Sequence, residues 1–204
     1  MVCKICFKDF SLTMPRRLIE CQTHICDECF NKLTGSLSID KINGTKIMFL
    51  SKYDGLYKQM LMNYKEYGDY ELRDCFLYPY LKLIKLYFNN YYFVPLPSTS
   101  NRIKNRGFNH LIEILKISNL KYLDLLYKIN DINQKELNAF NRINNNTIEI
   151  KDNKEIIENK KIVLFDDVYT TGSTFNHSLN VIKKYNPKKI KGLIIMRNIY
   201  QISN

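Results

Sequence analysis

The chain has 204 residues, of which 45% are hydrophobic, and a formal net charge of +11. This length allows one ordinary α/β domain and a small additional module, and the composition is that of a soluble globular protein. The richest apolar stretch, 72–94, is interrupted by charged residues and paired asparagines. That interruption excludes a membrane span there, and we expect a cytoplasmic protein.

The positive charge comes from 31 Lys and Arg residues against 20 Asp and Glu residues. An excess of this size favours a polyanionic partner such as nucleic acid. The chain is also rich in Lys, Asn, Ile and Tyr together, which is typical of A/T-rich coding sequence, and surface lysines are ordinary solvated charges. Charge alone therefore leaves both interpretations open.

Two Cys-x-x-Cys pairs stand near the start of the chain, formed by Cys3 with Cys6 and Cys26 with Cys29. The nineteen residues between the pairs fall within the spacing of a four-thiolate zinc site. Two such turns complete a tetrahedral shell and leave no open position for water, so the metal would be structural. We predict a zinc-binding module over residues 1–45, followed by a second domain over 46–204.

Other uses of these cysteines remain open. Cys21 or His24 could replace one of the four zinc ligands, and redox-active Cys-x-x-Cys pairs are a further alternative. Disulfides are disfavoured because thiols stay reduced in the cytoplasm. Cys75 stands alone in an apolar helical stretch, which indicates packing.

Strands and helices alternate through the rest of the chain. The predicted strands are 46–53, 91–95, 122–127, 162–165 and 190–196, and the predicted helices are 55–65, 71–88 with a division at Pro79, 108–117 and 175–185. Residues 130–146 are polar and asparagine-rich, which indicates a loop. This alternation predicts an α/β fold with a mainly parallel sheet flanked by helices.

A proline-rich loop follows the strand 91–95. Pro95, Leu96 and Pro97 make this loop abrupt and rigid, and the cations beyond it are Arg102, Lys104 and Arg106. Arginine forks and a lysine point charge suit a pyrophosphate group. Taken alone, the same residues are more typical of a basic surface loop.

The most informative pattern lies where the strand 162–165 ends. It consists of two acids followed by small hydroxyl residues and glycine: Asp166, Asp167, Thr170, Thr171, Gly172, Ser173 and Thr174. Helix N-termini at the carboxyl ends of strands present free N–H groups that suit a phosphate. The acids are placed to accept hydrogen bonds from sugar hydroxyls or to hold Mg²⁺. The pattern predicts a sugar phosphate site, although a capped helix without a ligand uses similar residues.

This segment resembles the phosphoribosyl pyrophosphate (PRPP) motif of type I phosphoribosyltransferases. The resemblance implies that Asp166 and Asp167 hold the ribose hydroxyls and that residues 170–174 surround the 5′-phosphate. It implies PRPP with Mg²⁺ as the ligand. Arg102 and Arg106 would then stabilise the departing pyrophosphate.

The chain as a whole resembles the ComF family of phosphoribosyltransferase-like late-competence proteins. The similar elements are the paired Cys-x-x-Cys turns, Tyr53-Asp54-Gly55, residues 65–69, the Pro-x-Pro loop, Arg106-Gly107-Phe108-Asn109, the segment with Gln134, Leu137, Arg142 and Asn145, and the PRPP motif. His110 stands where the family usually has glutamine, and we interpret it as a helix-start residue. Residues 130–134 lack the Arg/Thr/Pro-rich lead-in of the relatives.

The family resemblance implies a role in natural transformation. It implies handling of incoming single-stranded DNA together with the uptake helicase and recombination proteins. Aromatic and basic residues that could contact a single strand are Tyr53, Tyr57, Lys58, Tyr64, Lys65 and Tyr67, although at helical spacing such residues are often partly buried. The alternative is a catalytically active phosphoribosyltransferase that uses an unidentified base or amine and is unrelated to DNA.

Overall fold

A five-stranded sheet forms the centre of the computed structural model, which describes residues 1–11, 24–128, 148–151 and 156–198. The described strands are β1 (Ser38–Ile42), β2 (Thr45–Lys52), β3 (Tyr91–Pro95), β4 (Leu126–Lys128), β5 (Ile148–Ile150), β6 (Lys161–Tyr169) and β7 (Lys189–Arg197). The sheet order is β1-β2-β7-β6-β3, and every pairing except that of β1 with β2 is parallel. The predicted α/β fold with a mainly parallel sheet is confirmed.

The inner strands of the sheet are continuous apolar runs. Residues 162–165 of β6 and 193–196 of β7 are fully buried. Strands that are covered on both faces need such runs, whereas a strand with one exposed face alternates apolar and polar residues. Gly192 of β7 leaves room for the Phe175 ring, because a Cβ there would come within 2.9 Å of it. β6 lies between β3 and β7, and its last residues, 166–169, extend beyond its pairing with β3.

Strand β1 was absent from the sequence-based prediction. A two-residue turn, Asn43-Gly44, joins it to β2, and both residues have positive φ. An Asn-Gly pair is the strongest short signal for a β-hairpin, and here it would have predicted a strand before residue 43. The first strand of the sheet thus comes from before residue 46, and the domain boundary at that position remains a prediction.

Six described helices connect or flank these strands. They are α1 (Asp27–Leu33), α2 (Gly55–Glu66), α3 (Leu81–Tyr87), α4 (Ser100–Arg106), α5 (His110–Ile117) and α6 (Ser173–Lys183), with 3₁₀ turns at Tyr70–Asp74 and Tyr78–Tyr80. The predicted helical region 71–88 is divided, but the interruption falls at residues 75–77, and Pro79 lies in the second 3₁₀ turn. Only the last part of the region is α-helical. Helix α5 contacts β3 and β6, and α6 contacts β5 and β6. None of the described helices is long and apolar enough to cross a membrane.

The predicted strand 122–127 differs from the observed one. Tyr122 forms only an isolated bridge with Phe93, and the strand proper is β4, which pairs with β5 in a separate antiparallel sheet. The predicted loop 130–146 lies outside the described residues, as do Cys21, Gln134, Leu137, Arg142 and Asn145.

Candidate functional site

The acid pair lies inside β6 rather than after it, because the strand continues to Tyr169. Successive strand residues point to opposite faces of a sheet. Asp167 is only 5% exposed, whereas Asp166 is half-buried. The two carboxylates therefore have different surroundings, although they are adjacent in the chain.

Asp167 is held by two side chains from distant parts of the chain. Lys65, in the last turn of α2, forms an ion pair with its Oδ2 atom. The Nε2 atom of His110 lies 2.6 Å from the same oxygen. Asp167 therefore joins the end of α2 and the start of α5 to the sheet. A ribose that approached Asp167 would meet a carboxylate that is already paired.

His110 is the first residue of α5, as predicted, and it has a further role that the sequence did not show. Arg106 Nη1 lies 2.8 Å from His110 Nδ1. A guanidinium only donates hydrogen bonds, so Nδ1 accepts and Nε2–H donates to Asp167. Burial lowers the pKa of His110, which agrees with a neutral ring. One feature of the sequence pointed to this role: His110 replaces the glutamine that is usual in the similar family.

The two carboxyl groups have pKa values that move in opposite directions. Burial, and then the charge of Asp167, raises the pKa of Asp166 to about 8. Burial also acts to raise the pKa of Asp167, but the charge of Lys65 and the His110 hydrogen bond lower it well below its usual range. At neutral pH, Asp167 is ionised and most of Asp166 is protonated. Asp166 can thus both donate a hydrogen bond to a ligand hydroxyl and accept one from it.

Residues 170–172 form the turn after β6, and Ser173 and Thr174 already belong to α6. Thr170, Thr171 and Ser173 are exposed, and the Thr171 hydroxyl accepts a hydrogen bond from the Ser173 amide at 3.3 Å. These exposed residues stand at the start of an eleven-residue helix, and the first N–H groups of a helix have no partner within it. The turn has the donors that a phosphate needs.

Gly172 is required by this turn. Its φ of 73° is left-handed, and a Cβ atom would overlap the Tyr169 hydroxyl. Tyr169 is itself buried and packs edge-on against Phe49 and Phe175, with ring centroids 5.7 and 6.0 Å away. Because Tyr169 is held by these two rings, its side chain fixes the position of Gly172 in the turn.

The Pro95-Leu96-Pro97 loop is buried beside the acid pair's strand. The Leu96 amide donates to the Phe165 carbonyl at 2.9 Å, which extends the pairing of β3 with β6. The loop lines a cleft of about 480 Å³, whose other walls include β4 and β5. The carboxyl ends of β3 and β6 thus lie side by side, as a site shared between them requires.

The prediction of a loop around Arg102 and Arg106 was wrong, because both residues lie on helix α4, one turn apart. Together they line a cationic cleft of about 640 Å³ that also includes Lys65, Tyr67 and Gly68. Arg106 Nε donates to the Lys65 carbonyl at 3.1 Å. Arg106 is also linked to Asp167 through His110. Arg102, by contrast, is exposed.

Two of the aromatic residues considered for DNA contact belong to the core. Tyr57 and Tyr64 are 1% and 0% exposed, and their hydroxyls donate to the carbonyls of Phe76 and His110. They cannot stack on a nucleic acid base. Tyr67, at 77% exposure, remains available beside the cationic cleft.

The four predicted zinc ligands come together. Their sulfur atoms all lie within 4.8 Å of one another, and Cys6 Sγ is 3.7 Å from Cys26 Sγ. Burial acts to raise the pKa of Cys3, but hydrogen bonds from nearby backbone amides lower it to about 7. Four converging sulfurs, one of them readily ionised, fit a tetrahedral zinc ion. His24 lies apart from this set, with its Nε2 atom 3.6 Å from Asp74.

An α/β sheet with an acid pair and a hydroxyl-rich turn at the end of an inner strand defines a phosphoribosyltransferase-like protein. Comparison with known proteins agrees, since residues 108–201 match the model of the phosphoribosyl transferase domain family. The chain is 32% identical to competence protein ComFC of Streptococcus pneumoniae over 146 residues, and 24% identical to ComFC of Bacillus subtilis over 150 residues. The chain is thus similar to phosphoribosyltransferase-like proteins of the ComF family.

These alignments cover 71% and 72% of this chain, and 65% and 62% of the two relatives. Among solved structures, a hypoxanthine-guanine phosphoribosyltransferase of Bacillus anthracis is similar with a TM-score of 0.41 and 12% identity, over 64% of this chain and 70% of that one. A hypoxanthine phosphoribosyltransferase of Staphylococcus aureus has a TM-score of 0.39 and 12% identity, over 86% and 73%. Both structural similarities are distant.

Proposed function

We propose that the chain binds PRPP, or a related ribose phosphate, together with Mg²⁺ at the carboxyl edge of the sheet. The observation that carries this proposal is the exposed turn after Asp166 and Asp167, with its left-handed glycine and outward hydroxyls. Residues 170–174 would hold the 5′-phosphate, and Asp166 would contact the ribose hydroxyls. Mg²⁺ would be held by ligand phosphate oxygens and would neutralise their charge.

Asp167 would act on the ligand less directly than Asp166. Its oxygen is occupied by Lys65 and His110, so it would set the charge of the site and the position of its neighbours. Arg106 would contribute through the same network, and Arg102 would supply an exposed cation for the pyrophosphate. The Pro95-Leu96-Pro97 loop would form the rigid wall beside this group.

Isothermal titration calorimetry with PRPP and Mg²⁺ tests this proposal. Wild-type protein should bind, and a Thr171→Ala/Ser173→Ala variant should bind at least about tenfold more weakly, because it loses two phosphate donors. Ser118→Ala is a suitable control, since this hydroxyl residue ends a different helix, α5. The absence of heat with wild-type protein, under conditions where it is folded, would refute the proposal.

We further propose that this ComF-family protein acts in natural competence, in the cytoplasm, on incoming single-stranded DNA. Support comes from the name of the two ComFC relatives and from the net charge of +11. An uptake helicase and recombination proteins would be its partners. The zinc module would span residues 1–45 and contribute β1 to the sheet, and the rest of the phosphoribosyltransferase-like domain would span 46–204.

The alternative is a working phosphoribosyltransferase. A base or amine would attack the anomeric carbon of PRPP, a new N–C bond would form, and the C–O bond to pyrophosphate would break. Positioning and electrostatic stabilisation would supply the catalysis. A pyrophosphate-release screen over candidate bases and amines, with and without single-stranded DNA, separates the two possibilities: release that depends on an acceptor supports the enzyme.

A further inference from the structure

Four lysines project from one face of the sheet at its amino-terminal edge, far from the turn after β6. Lys46 of β2 pairs with Lys191 of β7, and Lys161 of β6 pairs with Lys189 of β7. Lys189 and Lys191 are two residues apart, and residues paired in register share a face. All four side chains therefore belong to one cluster, the amino-edge lysine cluster.

The charges of this cluster are not neutralised by the part of the chain that the structure describes. None of the ion pairs between described residues includes any of the four lysines. Lys46 and Lys189 are exposed and Lys161 is half-buried, whereas Lys191 is 9% exposed. Burial, followed by repulsion from the three other lysines, lowers the pKa of Lys191. Such a cluster costs folding free energy unless an anion relieves it.

Aromatic rings are interleaved with these cations. The Nζ atom of Lys191 lies 3.6 Å from the ring centroid of Tyr87, and that of Lys161 lies 5.6 Å from the ring of Tyr91. Tyr87 is half-buried, so part of its side chain is open to solvent.

We propose that the amino-edge lysine cluster, with Tyr87, binds the phosphate backbone of single-stranded nucleic acid. Neighbouring strands are about 4.8 Å apart and alternate residues about 7 Å apart, which is the scale of consecutive phosphates. Aromatic rings beside the lysines suit unpaired bases, and the contacts carry no sequence information. The inference rests on the nucleic-acid part of the proposed function and adds the surface that binds it.

Fluorescence anisotropy with a labelled oligothymidine tests this surface at several salt concentrations. The Lys46→Gln/Lys189→Gln variant removes two exposed charges of the cluster. Lys32→Gln/Lys116→Gln is the matched control, since it removes the same charge from lysines paired with Glu28 and Glu113. The cluster variant should bind about tenfold more weakly, and its slope of log K against log salt should be less steep by about 1.5. The affinity of the control should stay within about twofold of wild type.

Each other outcome overturns the inference in a distinct way. If the two variants weaken binding equally, DNA binding stands but lies elsewhere. If the wild-type protein does not bind the oligonucleotide at all, the DNA part of the proposed function fails together with the surface, whereas PRPP calorimetry still tests the phosphate site. If vesicles containing anionic phospholipid bind in a cluster-dependent way and the oligonucleotide does not, the partner is a membrane surface.

Discussion

At the scale of single residues, the two adjacent aspartates show how a pleated strand gives one motif two roles. Asp167 points to a face where α2 and α5 supply Lys65 and His110, so its charge is stabilised. The Oδ1 atom of Asp166 accepts a hydrogen bond from the Asp167 amide at 3.0 Å. Asp166 is the carboxyl that is left for a ligand. In the site that we propose, its proton would therefore control ligand binding.

We expect ribose phosphate binding to depend on the ionisation of Asp166. Because its pKa is about 8, the carboxylate form is populated as the pH rises from 7 to 9. If ribose hydroxyls donate to the carboxylate, PRPP affinity should rise by several-fold over this range, with little further gain above it. Calorimetry at pH 7, 8 and 9 measures the change.

The Asp166→Asn variant is the control for that experiment. It keeps the shape of the side chain and removes its titration, so any remaining pH dependence belongs to the ligand or to other groups. The same rise in the variant as in wild type would show that Asp166 does not set the pH dependence. A fall in affinity with pH for wild type alone would mean that the protonated acid is the binding form.

Removing the Asp167 charge should destabilise the whole domain. Asp167→Asn leaves Lys65 partly buried without its counter-ion and should lower the free energy of unfolding by about 3 kcal/mol at pH 7. Urea unfolding measures this, with Asp9→Asn at an exposed position as control. A cost below about 1 kcal/mol would contradict the role of this pair.

The shifted pKa values of Asp167 and Asp166 also predict how the stability of the protein depends on pH. Asp167 has a lowered folded-state pKa, so its contribution is present above the unfolded pKa and is lost as the pH falls towards the folded pKa. Asp166 acts oppositely: its folded pKa is raised, so its contribution is lost as the pH rises through about 8. Wild type should therefore lose stability towards both ends of the range, and Asp167→Asn should lose less than wild type towards acid.

At the scale of elements, the turn between β6 and α6 depends on one glycine. Gly172→Ala would need a left-handed alanine and would also overlap Tyr169, which is wedged between Phe49 and Phe175. We expect a destabilisation of about 3 kcal/mol or more, because strain and overlap add. Thermal unfolding and PRPP calorimetry should both report the change.

Gly107→Ala is a matched control for the backbone part of this effect. Gly107 also has positive φ, at the end of α4, but nothing lies within 4 Å of its added Cβ. That variant should cost only about 1 kcal/mol, which is the strain of the left-handed conformation. Equal costs at the two positions would mean that Tyr169 gives way and does not fix the turn.

The sequence predicted those elements whose signals are local. The apolar run before Asp166 and the hydroxyl residues after it located both the inner strand and the turn. Helix α4 was missed, although Gly107 at its end is a normal stop signal, because Arg102 and Arg106 were interpreted as a loop. Lys65 and His110 reach Asp167 across 102 and 57 positions of the chain, and no local pattern encodes such contacts.

At the scale of the whole molecule, the N-terminal cysteine cluster is attached to the rest of the protein by both charge and packing. Lys4 Nζ lies 2.6 Å from Asp74 Oδ2 and 3.2 Å from Glu71 Oε2. Cys29 and Leu33 of α1 are buried, and α1 contacts α2. Because α2 carries Lys65, the module and the candidate site share a supporting helix.

We therefore expect zinc to stabilise more than its own module. Elemental analysis of the wild-type protein should find one zinc ion per chain, and Cys29→Ser should lose most of it, since a structural site needs all four ligands. The variant should unfold at a lower temperature and should bind PRPP more weakly if α2 loosens. Cys75→Ala is the control: Cys75 is buried but outside the four-sulfur cluster, so it should keep the zinc even if it lowers stability. A wild-type protein that is folded and free of zinc would refute the metal assignment, whereas a Cys29→Ser variant with unchanged PRPP affinity would refute only the link through α2.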